Sequence, residues 1–112
     1  MILFDFLRLR GLIFMEKSAF VIVDTKIHDS EAYEEYKKAA KPILEKFGGV
    51  YLTRGGFMDT IQSELWEPTR IVLIQFPSVK KAKEAIESVE YTSVKKIRLE
   101  NADSTFVILE GL

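Results

Sequence analysis

Arg54 stands directly before Gly55-Gly56. A guanidinium there can grip a carboxylate or an enolate through its two-pronged donor fork, and paired glycines let a ligand or another backbone come close. A structural salt bridge at a bulge would use the same arginine. Tyr36 falls on the apolar stripe of a helical pattern. Its phenol is either a core hydroxyl with one partner or, over a cavity, a proton donor. Asp24, Arg70 and Arg98 sit near strand or helix ends, where they ion-pair with one another or line a polar pocket. Trp66, two residues before Pro68, can wall an apolar pocket or pack against a partner subunit. Lys95, Lys96 and Arg98 form a small basic group, read as a solvated face or as an anion contact. His28, the only histidine, falls in a loop and is expected to be exposed and incidental.

Much chemistry is excluded. The chain has no cysteine, which removes disulfides, Cys-ligated zinc or iron-sulfur sites and a thiol nucleophile. With one histidine, an all-histidine metal cage goes too, and no metal is expected; a haem ligand has only His28 to draw on. No Gly-rich phosphate loop, dinucleotide fingerprint or nucleophile elbow is present, and no cofactor is expected. Sixteen Lys and Arg against seventeen Asp and Glu give a net charge of -1, so no nucleic-acid partner is expected, and a single Arg-Gly-Gly is not an RNA-binding repeat.

The elements that must hold these residues are legible in outline. The 112 residues, 47% hydrophobic, fit one domain. Ala19 to Thr25 is β-branched and aromatic, a strand. Asp29-Ser30 caps a helix over 30–47, which Pro42 bends and Gly48-Gly49 ends. Val50 to Arg54 is a second strand, resumed after the glycines at Phe57 to Gln62, and Arg70 to Phe76 is a third. Ser78 caps a second helix with stripe Val79, Ala82, Ile86 and Val89, followed by a short helical turn with Tyr91, Val94 and Ile97. Thr105 to Glu110 is the last strand. The order β-α-β-β-α-β gives an α+β fold: the ferredoxin-like plait, an antiparallel four-stranded sheet with its helices on one face. Opposite charges four apart (Glu34 with Lys38, Lys41 with Glu45, Lys80 with Glu84, Lys83 with Glu87) mark wet helix surfaces.

A sheet wet on one side should alternate apolar and polar residues along each strand. Here Phe20 and Ile22 oppose Val21 and Val23, Val72 and Ile74 oppose Ile71 and Leu73, and Phe106 and Ile108 oppose Val107 and Leu109. Helices cover one set only; the other calls for a partner, and a two-fold contact with a second copy predicts a homodimer through the sheet faces. The rival is that the leading segment folds over the open face. Residues 1–14 hold ten apolar residues, too short a run to span a bilayer, and lack the layout of a secretory signal. They read as an upstream extension or a covering segment, with an interfacial amphipathic anchor as the alternative; residues 15–112 form the domain. No membrane span and a cytoplasmic location are expected.

The residues also carry a resemblance. Asp29-x-x-x-Tyr33-x-x-Tyr36, Gly48-Gly49-x-Tyr51-Leu52-x-Arg54-Gly55-Gly56, Trp66-x-Pro68-x-Arg70, Phe76-Pro77-Ser78, Glu90-Tyr91 and Glu110-Gly111 resemble the family known as domain of unknown function 1330, over about residues 18–111. The resemblance implies a ferredoxin-like fold of the dimeric α/β-barrel superfamily and no established activity; superfamily relatives include cofactor-free monooxygenases, small isomerases and haem-handling proteins. Where family members often carry Glu this chain has Gln75, set next to the strand position of Asp24, which puts a paired-carboxylate mechanism in doubt.

The expectation is therefore a small homodimer with one small-molecule pocket per protomer, lined by Tyr36, Arg54, Trp66, Arg70, Tyr91 and Arg98 and binding an apolar or aromatic acid. As an enzyme it would run cofactor-free proton transfer or oxygen chemistry on an activated carbonyl compound, Arg54 stabilising the anion and Tyr36 or Asp24 moving the proton. The alternative is a non-catalytic binding or assembly module in which the same residues staple the dimer.

Overall fold

A computed structural model describes residues 16–112; the expectation for residues 1–14 lies outside the described residues. The elements are β1 (Ala19–Ile27), α1 (Ser30–Lys46), β2 (Val50–Arg54), β3 (Ile71–Phe76), α2 (Val79–Glu87), α3 (Val89–Asn101) and β4 (Ala102–Glu110). The four strands form one antiparallel sheet in the order β2-β3-β1-β4, the ferredoxin-like plait with its second helical segment divided in two.

Each helix starts where the sequence supplies a cap. The Asp29 side chain accepts from the Ala32 amide at 3.1 Å, and Ser78 and Ser88 accept from the Lys81 and Tyr91 amides at 3.1 Å each. Pro42 lies inside α1 without ending it; Gly48, at φ 95, takes the left-handed conformation that closes the helix. Strand alternation sends Ala19, Val21, Val23, Thr25, Val72, Ile74 and Phe76 under the helices, where they are buried against Tyr33, Tyr36, Ala40, Leu44, Ala82, Ala85 and Tyr91. The register aligns Phe20, Ile22 and Asp24 with Leu109, Val107 and Thr105 on one side and with Gln75, Leu73 and Ile71 on the other. That face is the open one, and Val107 and Leu109 remain 40% and 46% exposed.

Four sequence expectations need correction. Residues 57–62 form no strand: Gly55, at φ +72, turns the chain off β2, and β-prone residues with no neighbouring strand to pair with stay irregular. The short turn after α2 is a 13-residue helix, α3, whose buried positions are Tyr91 and Arg98; an arginine on the inner face hides the apolar period. Strands β1 and β4 reach further than expected, to Ile27 and back to Ala102, because Lys26 and Thr25 pair with polar Asp103 and Ser104. Of the four expected charge pairs Lys41–Glu45 forms, at 2.7 Å; Glu34 instead meets Lys37 and Glu84 meets Lys81, three residues away, equally close neighbours on a helix surface. No described helix is long and apolar enough to cross a membrane.

Candidate functional site

Between α1 and the helix-covered face of the sheet lies a cavity of about 30 Å³. Its apolar walls are Val23, Ala40, Leu44, Val72, Ile74 and Phe106, and its polar groups come from Tyr36, Lys37, Tyr51, Arg54 and Arg70. Two backbone features aim the arginines inward. Strand β2 carries a bulge between Tyr51, which pairs with Ile74, and Thr53, which pairs with Leu73; Arg54 then pairs with Val72. The extra residue resets the alternation, so Tyr51 and Arg54, three apart, share the helix side. The Thr53 hydroxyl accepts from the Leu73 amide at 3.1 Å, repairing the ladder beside the bulge. Gly55 then passes directly beneath Arg70: a Cβ there would lie 2.6 Å from Arg70 Nε and 2.9 Å from Cζ.

Aromatic rings support each guanidinium. Arg54 Cζ lies 5.0 Å from the centre of the Tyr51 ring, Arg70 Cζ 5.7 Å from that of Tyr33 and Arg98 Cζ 4.8 Å from that of Phe106. Arg54 Nη2 donates to the Lys37 carbonyl at 2.9 Å, five residues before Pro42. The salt bridge set against a ligand role for Arg54 is therefore replaced by a carbonyl contact, which uses one of five donors.

Behind the cavity wall runs a buried chain of polar groups. Tyr36 Oη and Tyr91 Oη are 2.6 Å apart, and Arg98 Nε donates to Tyr91 Oη at 3.3 Å. Burial above all, then the Tyr91 hydroxyl, pushes the Tyr36 phenol far above the ordinary tyrosine range. Burial also pushes Tyr51 up to about 12, against the pull of Arg54. Both phenols are neutral at physiological pH, donors rather than bases. Burial works against the charge on Arg98, but Tyr91 and then Tyr36 together outweigh it and the guanidinium stays charged.

Asp24 and Trp66 belong elsewhere. Asp24 is on the open face, where it accepts from Trp66 Nε1 at 2.7 Å, from the Thr69 amide at 2.9 Å and from the Arg70 amide at 2.8 Å. Burial raises its pKa, but the Arg70, Trp66 and Thr69 donors together outweigh that and hold the carboxyl below its ordinary value. The expected ion pairing of Asp24 with Arg70 or Arg98 is replaced by these donors, of which Arg70 supplies only its backbone. Trp66, with Ile22, Asp24, Thr105, Val107 and Leu109, borders an open groove of about 410 Å³. Asp24 follows Val23 and therefore points away from the cavity, which separates it and Trp66 from Tyr36. Gln75 pairs with Phe20, four residues from Asp24 along β1, so a glutamate there would not adjoin it.

The structure thus gathers Tyr36, Arg54 and Arg70 at one cavity, with Tyr91 and Arg98 behind them. Sequence reasoning missed Tyr51, Lys37 and Phe106. Of these, Phe106 was recoverable from β4 alternation, whereas Tyr51 joins Arg54 only through the bulge. His28 is half exposed and lies 3.1 Å from Asp103 Oδ2. No group of three metal-ligating side chains exists among the described residues.

Solved structures share this architecture at low sequence identity. A protein of unknown function from Rhodopseudomonas palustris superposes with a TM-score of 0.71 at 19% identity, over 95% of this chain and 92% of that one. SnoaB, a cofactor-independent oxygenase from Streptomyces nogalater, gives 0.60 at 9% identity over 83% and 91%. A dimeric protein of unknown function and ferredoxin-like fold from Bacteroides fragilis gives 0.51 at 20% over 86% and 98%. A comparison with curated proteins finds no match. The family model described as domain of unknown function (DUF1330) matches residues 18–112, and the chain belongs to that family.

Proposed function

We propose that the protein is a cytoplasmic homodimer, joined through the open sheet faces, that binds an apolar or aromatic acid in the cavity between α1 and the sheet of each protomer. The observation that carries the pocket reading is the convergence of Arg54, Arg70 and Tyr36, with Lys37 and Tyr51, on one cavity whose other walls are apolar. No salt bridge engages either arginine among the described residues. As an enzyme, the protein would act without a cofactor on an activated carbonyl compound: Arg54 and Arg70 would stabilise the developing oxyanion and Tyr36 would donate to it. The fold shared with a cofactor-independent oxygenase supports such chemistry on this scaffold by analogy alone.

The dimer reading rests on the apolar open face, flanked by a segment between β2 and β3 whose Phe57, Ile61 and Leu65 are 96%, 88% and 97% exposed. Trp66 fits that surface better than the pocket. The dimeric state of the Bacteroides fragilis protein points the same way.

Native mass spectrometry of the protein from its own cells tests both parts, with a retained small organic acid and a dimer mass expected. Arg54→Ala and Tyr36→Phe should abolish retention while leaving the dimer intact. Loss of more than about 2 kcal/mol of stability in both variants would instead favour the stapling role.

A further inference from the structure

The chain Arg98–Tyr91–Tyr36 has a direction. Arginine carries only donors, so Tyr91 Oη must accept the Arg98 Nε proton. Were Tyr36 also to donate to Tyr91, the Tyr91 oxygen would receive two protons and its own hydrogen would find no acceptor among the contacts of the described residues. With the opposite sense Arg98 donates to Tyr91 and Tyr91 to Tyr36 across 2.6 Å, and the hydrogen left without a protein acceptor among the described residues is that of Tyr36, which lines the cavity and so can serve a ligand there. Each bond polarises the next, and a guanidinium at the head, which can only donate, favours this sense over the reverse.

From this, and resting on the reading of the cavity as the ligand site, we propose that Arg98 and Tyr91 are positioning residues that fix Tyr36 as a donor, so that the cavity takes its ligand as an oxyanion formed before binding. The ligand class is a carboxylate, or an acidic enol or phenol ionised in solution. A neutral acid whose proton Tyr36 would remove does not fit. One ligand oxygen would sit between the Tyr36 hydroxyl and the spare N–H groups of Arg54 and Arg70. The size agrees: about 30 Å³ holds the oxygens of one small anionic group, as it would one or two waters, with the body of the ligand left outside.

Calorimetry with matched probes, acetate against acetamide and benzoate against benzamide, tests the proposal on the full chain. The anion of each pair should bind at least about tenfold more tightly, as expected for charge-assisted hydrogen bonds. It should also shift the tyrosine absorbance to the red, as a phenol does when it donates to an anion, and Tyr36→Phe should erase that shift. Tyr91→Phe and Arg98→Met, each checked for folding by circular dichroism, should reduce the preference, and Arg98→Lys should recover part of it. Amides that bind as well as carboxylates, or a preference unchanged in both variants, would overturn the proposal and leave the pocket reading standing. Failure of every probe to bind would overturn both.

Discussion

Gly55→Ala is the most local test of how the site is built. Two costs follow from the structure. At φ +72 an L-residue loses about 1–2 kcal/mol relative to glycine, which lowers the melting temperature of a domain this size by roughly 4–16 °C. The second cost falls on Arg70. The new methyl carbon would lie 2.6 Å from Nε, 2.9 Å from Cζ and 3.0 Å from Nη2, so the guanidinium must leave its seat beside Tyr33. Losing one charge-assisted hydrogen bond to a bound carboxylate costs about 1.5–3 kcal/mol, or roughly 10- to 150-fold in affinity. Gly56→Ala is the control, since a Cβ there meets nothing within 4 Å and φ is not in the left-handed range. The assay is thermal unfolding by circular dichroism alongside calorimetric titration with benzoate, on Gly55→Ala, Arg70→Ala and the double variant. Because both single changes remove the same contact, their affinity losses should fail to add. Additive losses, or a Gly55→Ala protein that melts early yet binds as the parent does, would refute the seating argument.

Three further outcomes are expected. Trp66 is the sole tryptophan, so its emission reports the Asp24 contact directly. Asp24 is held below its ordinary 3.8, so its contribution is complete above that pH and disappears as the pH falls through the lowered folded value; the emission change should have its midpoint below 3.8, and Asp24→Asn should abolish the titration. Tyr51, raised from 10.0 to about 12, has the opposite sign: its stabilisation is present below pH 10 and lost on the way to 12, so alkaline denaturation curves should steepen there and Tyr51→Phe should flatten that part. A charge on the open face, Ile22→Lys or Val107→Glu, should halve the mass seen by light scattering without changing the helix signal; an unaltered mass would tell against the sheet-face dimer.

The sequence by itself determined the plait. Apolar runs of period two and three to four, the Asp29 and Ser78 caps and the Gly48-Gly49 stop named the order of elements, because these are local preferences of backbone and side chain that read the same in the unfolded chain. Alternation also exposed the second apolar face of the sheet. The candidate site was only half legible: Tyr36, Arg54 and Arg70 come together, and Tyr91 and Arg98 stand behind them, but Trp66 and Asp24 lie across the sheet. Tertiary structure decided that division. One extra residue at Leu52 turns Arg54 to the side of Tyr51, and the ladder places Gln75 opposite Phe20 rather than beside Asp24. Tyr91 and Arg98 share one face of α3, but Tyr91 meets Tyr36 of α1 only after the two helices have packed. Such placements depend on inter-strand register and close packing between residues distant in the chain, which no local pattern encodes.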